Sequence, residues 1–129
     1  MTGVKKNIFI CESETTFKKL ILMIIDKNGF IHHVYFWLKD PENKNDLNQL
    51  VEGLKKLSAV STIKNFHIGK PASTNRDVID NSYIVSWLLL FDNKEDQESY
   101  QTDPFHLKFV EECSHLWSKV VVYDTIDIN

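Results

Sequence analysis

Apolar positions recur along this chain with two different periods, and the switch between them marks out the elements. Residues 31–38, "IHHVYFWL", follow a two-residue period in which His32, Val34, Phe36 and Leu38 share one side and His33, Tyr35 and Trp37 the other. Neither side is plainly polar, so the pattern predicts a strand covered on both faces. After the turn-rich "KDPENKND", residues 39–46, the period lengthens: Leu47, Leu50, Val51, Leu54 and Leu57 form the stripe of an amphipathic helix ending near Ser58. Gly53 weakens that helix and permits a close approach by a neighbour.

Residues 61–68, "STIKNFHI", predict a second strand that Gly69-Lys70-Pro71 ends, and Pro71–Asn81 reads as a surface loop. "YIVSWLLLF", residues 83–91, is the strongest strand signal and is again apolar on both sides. A short helix over "DNKEDQESYQ" follows, capped by Asp92 or Asn93, with Glu95 placed for a capping box with Asp92. Asp103-Pro104 then restarts a helix, aspartate as cap and proline at its first position. Phe105, Phe109, Glu112 and Leu116 lie along one set of its turns, and His106, Val110, Cys113 and Trp117 along the next. Residues 119–124, "KVVVYD", are the last strand.

The order strand–helix–strand, strand–helix–strand describes an α+β fold of ferredoxin-like βαββαβ type, a four-stranded antiparallel sheet with its helices on one face. The other sheet face is apolar as well, which calls for burial in a homodimer. Residues 1–29 precede this unit as a leader that closes on the turn Lys27-Asn28-Gly29. Phe17, Leu20, Ile21, Ile24 and Ile25 fall at helical spacing, so residues 12–26 read as a short amphipathic helix, a covering segment for the domain. Residues 8–10 read alternatively as a stray strand.

Composition adds exclusions. A 129-residue chain, 43% hydrophobic, fits one globular domain. Its net charge of −3 and scattered lysine pairs give no stripe for nucleic acid, and its apolar runs are too short for stable membrane insertion. Two distant cysteines, Cys11 and Cys113, suit a reducing, cytoplasmic setting, with Cys113 as a buried small residue. No phosphate loop, serine-nucleophile elbow or compact Cys/His cluster occurs, and no metal or cofactor is expected. His32 and His33, on opposite sides of one strand, cannot readily chelate together.

The stretches "HHVYFWLK", "YIVSWLLLF", "YQTDPFHLKFVEE" and "LWSKVVVYD" resemble the stress-responsive A/B barrel (Dabb) domain family over roughly residues 31–126. The resemblance implies a ferredoxin-like monomer, two of which pack sheet to sheet as a dimeric α/β barrel; it implies no single activity. One relative of this kind is a polyketide cyclase that forms olivetolic acid. By that resemblance its general-base histidine falls on His106, its tyrosine partner on Tyr100 and a first-strand histidine on His32, while a further pocket histidine, which would fall near Val85 in the third strand, is absent. The domain is therefore read as residues 30–127, a small dimeric protein of unassigned activity that takes a small apolar ligand. The alternative is a cyclase-like enzyme with His106 as base, Tyr100 as orienting acid and His32 beside them. Read from its residues alone, His106 suits a structural histidine, a pocket contact or a base, because the positive end of a helix favours neutral imidazole.

Overall fold

A computed structural model describes residues 29–128; the leader helix and the stray-strand reading lie outside the described residues. The elements run β1 (Phe30–Leu38), α1 (Lys44–Leu57), β2 (Asn65–Gly69), β3 (Val85–Phe91), α2 (Lys94–Thr102), α3 (Pro104–Cys113), a 3₁₀ turn (Ser114–Leu116) and β4 (Trp117–Ile126). The strands form one antiparallel sheet in the order β2-β3-β1-β4. This is the ferredoxin-like βαββαβ arrangement, with two helices rather than one in its second crossover.

The alternation read from β1 holds. Phe30, His32, Val34, Phe36 and Leu38 are buried under the helices, while Ile31, His33, Tyr35 and Trp37 look the other way. Val85, Trp87, Leu89 and Phe91 of β3 join the helix side. The stripe of α1 closes on them through Leu50, Leu54 and Leu57, each essentially without exposure. Asn43 starts this helix by accepting from the backbone N–H groups of Asn45 and Asp46 at 3.0 and 3.1 Å.

Gly53 performs the role its position suggested. A β-carbon there would sit 2.7 Å from Cys113 Sγ and 3.1 Å from the Phe109 ring, so α1 and α3 touch through a missing side chain.

Several boundaries move. β2 begins at Asn65 rather than at 61, because residues 61 and 62 turn the chain out of α1. β3 starts at Val85, and β4 extends at both ends of the expected 119–124. A register shift between Trp37 and Leu38 lets β4 begin two residues early, at Trp117. The α2 cap is Asn93, whose side chain accepts from Asp96 N at 2.8 Å; the capping box built on Asp92 does not form. Asp92 instead pairs with Lys64 at 3.0 Å.

The helix-free sheet face carries Ile31, His33, Tyr35 and Trp37 beside Leu88, Leu90, Val121 and Tyr123. Tyr35 packs against Tyr83 and Tyr123 with ring centroids 4.8 and 6.1 Å away. Trp37 donates to Ser82 Oγ at 3.0 Å, and Lys119 lies over its ring at 4.6 Å. Among the described residues, no helix is long and apolar enough to cross a membrane.

Candidate functional site

The three residues singled out in sequence meet under the helices, near the start of β1. Tyr100 lies in the last turn of α2 and is 2% exposed. His106 lies in the first turn of α3, which Asp103 caps by accepting from Phe105 N at 2.8 Å and which Pro104 opens. The cap fixes where the helix starts, and so sets the His106 ring edge-to-face with Tyr100, centroids 4.7 Å apart. His32 enters from β1, its ring 5.9 Å from that of Tyr100.

Each polar group has a distinct state. The Tyr100 hydroxyl accepts a 3.1 Å hydrogen bond from Trp87 Nε1, so its own proton remains available to donate. Burial pushes its pKa far above the ordinary tyrosine range, with the Trp87 bond opposing weakly. Tyr100 is therefore a neutral donor at any physiological pH. Burial holds His106 below the usual histidine range; the Gln101 backbone and Asp103 oppose the shift, and His32 adds to it. His106 is thus a neutral imidazole at pH 7. Its Nδ1 is buried and finds no hydrogen-bond partner among the described residues, a condition that native interiors rarely leave unexplained.

His32 is 4% exposed, and its Nδ1 lies 2.5 Å from Asp124 Oδ1. The pairing follows from register, since His32 and Asp124 face each other across β1 and β4. The carboxylate at Nδ1 fixes the orientation of the imidazole ring. Asp124 ends the "VVVYD" run and carries no site signal along the chain; only the register of two strands that brings together residues 92 positions apart identifies it. Trp87, in sequence only one apolar position of the "YIVSWLLLF" strand, anchors the Tyr100 hydroxyl.

A neutral base, a fixed hydroxyl donor and a carboxylate-oriented imidazole can together hold a small molecule through one oxygen-bearing group, or move a proton on it. Among the described residues no group of three or more histidine, cysteine, aspartate or glutamate side chains is placed to hold a metal ion. His33 and His67 lie on the opposite sheet face, in the row of Leu88, away from this cluster. His115 falls in the 3₁₀ turn. Two hollows also lie elsewhere. One of about 330 Å³ on the helix-free face is lined by Tyr35, Trp37, Tyr83 and Lys119, among others. The other, about 650 Å³, runs between α1 and β2.

Comparison with known proteins agrees with this architecture. No curated protein matches the sequence. A Dabb-family protein with a ferredoxin-like fold from Mesorhizobium loti shares 21% identity, with a TM-score of 0.66 over 78% of this chain and 98% of that one. A dimeric ferredoxin-like protein of unknown function from Thermobifida fusca is 19% identical, with a TM-score of 0.62 over 76% and 90%. The hydroxynitrile lyase of Passiflora edulis is 18% identical, with a TM-score of 0.67 over 80% and 95%. At such identities these likenesses establish the fold. The family model of the Stress Responsive A/B Barrel Domain matches residues 30–127, almost the whole of the described structure, and the chain belongs to that family.

Proposed function

We propose that the chain works as a homodimer closed through its helix-free sheet face. Each protomer binds a small, mainly apolar molecule whose oxygen-bearing group meets His106, Tyr100 and His32. The observation that carries the ligand reading is the buried Nδ1 of His106, without a hydrogen-bond partner among the described residues, beside a tyrosine hydroxyl with a proton to give. A guest oxygen or hydroxyl would satisfy the nitrogen, and leaving it bare costs about 1–3 kcal/mol. The apolar sheet face supports the dimer: Tyr123 is 61% and Ile31 38% exposed in the single protomer. The dimeric protein from Thermobifida fusca has the same fold.

The probe for the ligand site is 4-nitrophenol, a flat apolar ring with one ionisable hydroxyl. Titration into the isotope-labelled protein should shift the His106 imidazole resonances saturably. His106→Ala should abolish the binding and Tyr100→Phe should weaken it. An absence of saturable shifts, or equal affinity in His106→Ala, defeats the ligand reading. For the dimer, sedimentation should give twice the 15.1 kDa chain mass. Tyr123→Asp, a change at an exposed site, should reduce it to one chain; a wild-type monomer ends that reading.

A second reading is favoured by one observation, the separation of proton affinities between His106 and Tyr100. A cyclase-like enzyme would use neutral His106 to take a proton from an activated carbon and Tyr100 to hydrogen-bond the enolate that forms. Its rate would rise with pH as His106 loses its proton, and Tyr100→Phe would lower kcat more than it raises KM.

A further inference from the structure

Strand register places two histidines in one row of the helix-free sheet face. Across the four strands that row reads His67, Leu88, His33, Tyr123. Neither this row nor those on its two sides, one running from Asn65 to Thr125 and one from Gly69 to Val121, contains a carboxylate. His33 stands half-buried on a central strand, its ring centroid 4.3 Å from that of Tyr35 and its Nδ1 3.1 Å from the Tyr35 hydroxyl. His67 lies down on the sheet because Gly69 makes room for it: a β-carbon at Gly69 would stand 3.0 Å from His67 Cε1 and 2.7 Å from Ser86 Oγ. Charges flank the row instead. Lys119, over Trp37, and Asp80, bonded to Ser82, lie at the Trp37 end, and Asp127 follows the end of β4. Beyond the β2 edge, Glu52, Lys55 and Lys70 border the hollow that His67 also lines. On the other side of β1, His32 is paired with Asp124.

We propose that this row makes the contact between two copies of the chain proton-sensitive: the dimer holds with His33 as a neutral imidazole and loosens as the pH falls and His33 takes up a proton. The inference rests on the dimer reading above and adds a regulation to it. A two-fold contact presents to each protomer only a copy of its own face, so the rows around His33 meet rows that bring no carboxylate. The partner also removes water that would otherwise solvate the charged ring, and a buried charge without a counter-ion is costly. The same causes already act within one protomer, where burial holds His33 below the usual histidine range and the charges of His67 and His32 add to the shift. A group whose pKa is lowered by association refuses protons in the dimer that the free protomer accepts. Dimer strength is then full above about pH 6.5 and falls as the pH drops below it.

The test is the dimer Kd of the full chain, measured by fluorescence-detected sedimentation at pH 7.5 and pH 5.5 and at one ionic strength. In wild type the Kd should rise about tenfold or more between the two, since each dimer contains two His33 rings and each refused proton costs up to about tenfold per pH unit. His33→Gln and His33→Phe, neither of which titrates, should bring the ratio of the two Kd values close to one. The ratio is read within each protein, so a change in dimer strength at pH 7.5 does not disturb it. His67→Gln should remove part of the ratio, because a neighbouring positive charge is lost, and His106→Gln, on the other side of the sheet, should leave it as in wild type. A wild-type dimer equally tight at both pH values overturns the inference and leaves the dimer reading standing. A ratio that survives both His33 changes, or one that His106→Gln removes, also overturns it. A wild-type monomer at pH 7.5 overturns both.

Discussion

Replacing Gly53 with alanine sets two effects of opposite sign against each other. Alanine is the better helix former by about 1 kcal/mol at an interior position, so a free α1 would gain from the change. In the folded domain the added methyl would stand 2.7 Å from Cys113 Sγ and 3.1–3.2 Å from two atoms of the Phe109 ring. Neither neighbour can swing aside, because Cys113 is 2% and Phe109 6% exposed, and Phe109 is wedged against Phe36 and Trp117. Overpacking a filled helix contact costs about 1–3 kcal/mol, and the distance to sulfur is shorter than real contacts allow, so the upper end applies. The net expectation is a loss of about 1–2 kcal/mol, or roughly 1 M in urea midpoint for a domain of this size. Urea unfolding should be followed at one fixed protein concentration, since a dimer makes the midpoint concentration-dependent. Cys113→Ala is the control. Alone it should cost about 1 kcal/mol of packing, but in the Gly53→Ala background it should restore stability, because the clashing sulfur is gone. A Gly53→Ala protein as stable as wild type, or one not rescued by Cys113→Ala, would refute the close α1–α3 contact.

Tyr100→Phe should cost about 1–3 kcal/mol in thermal or urea unfolding, because it leaves the buried Trp87 Nε1–H without its acceptor. Asn93→Ala should lose about 1 kcal/mol, since it removes the α2 cap, and Asp92→Ala should leave that cap in place and remove only the exposed carboxylate that Lys64 meets. Burial lowers the folded-state pKa of both His106 and His33 below the ordinary 6.5, so near pH 6 the unfolded chain holds protons that the folded one refuses. Stability is then at its full value above about pH 6.5 and falls as pH drops below it. His106→Gln should flatten part of that slope in urea titrations at several pH values, and an unchanged slope would refute the burial of a neutral imidazole.

Much of this architecture is written locally. The period of two in "IHHVYFWL" separates His32 from His33, and burial in the folded domain follows that division. Asp103-Pro104 marks the start of α3 because capping and proline geometry need no distant partner. The apolar character of both sheet faces is likewise a property of alternating side chains. Boundaries were less legible where a neighbour decides them. β4 begins at Trp117 because a bulge at Trp37 and Leu38 resets its register against β1. The choice of Asn93 over Asp92 depends on where the chain leaves β3, and Lys64 draws Asp92 away.

The candidate site divides along the same line. Tyr100 and His106 stand six residues apart, across the joint between two helices, so their proximity was visible in the sequence. The proton states of these two residues were not, because both follow from burial, and burial is set by the packing of β1, β3, α2 and α3 together. Trp87 and Asp124 complete the cluster from strands 37 residues apart, and nothing along the chain links them; the packing of α2 on the sheet brings Tyr100 to Trp87, and strand pairing brings Asp124 to His32. Sequence by itself determined which faces are apolar and where α3 starts, since both arise from neighbouring residues. Tertiary structure decided which polar groups meet and which proton each one holds, since these depend on register and on how far each helix reaches across the sheet.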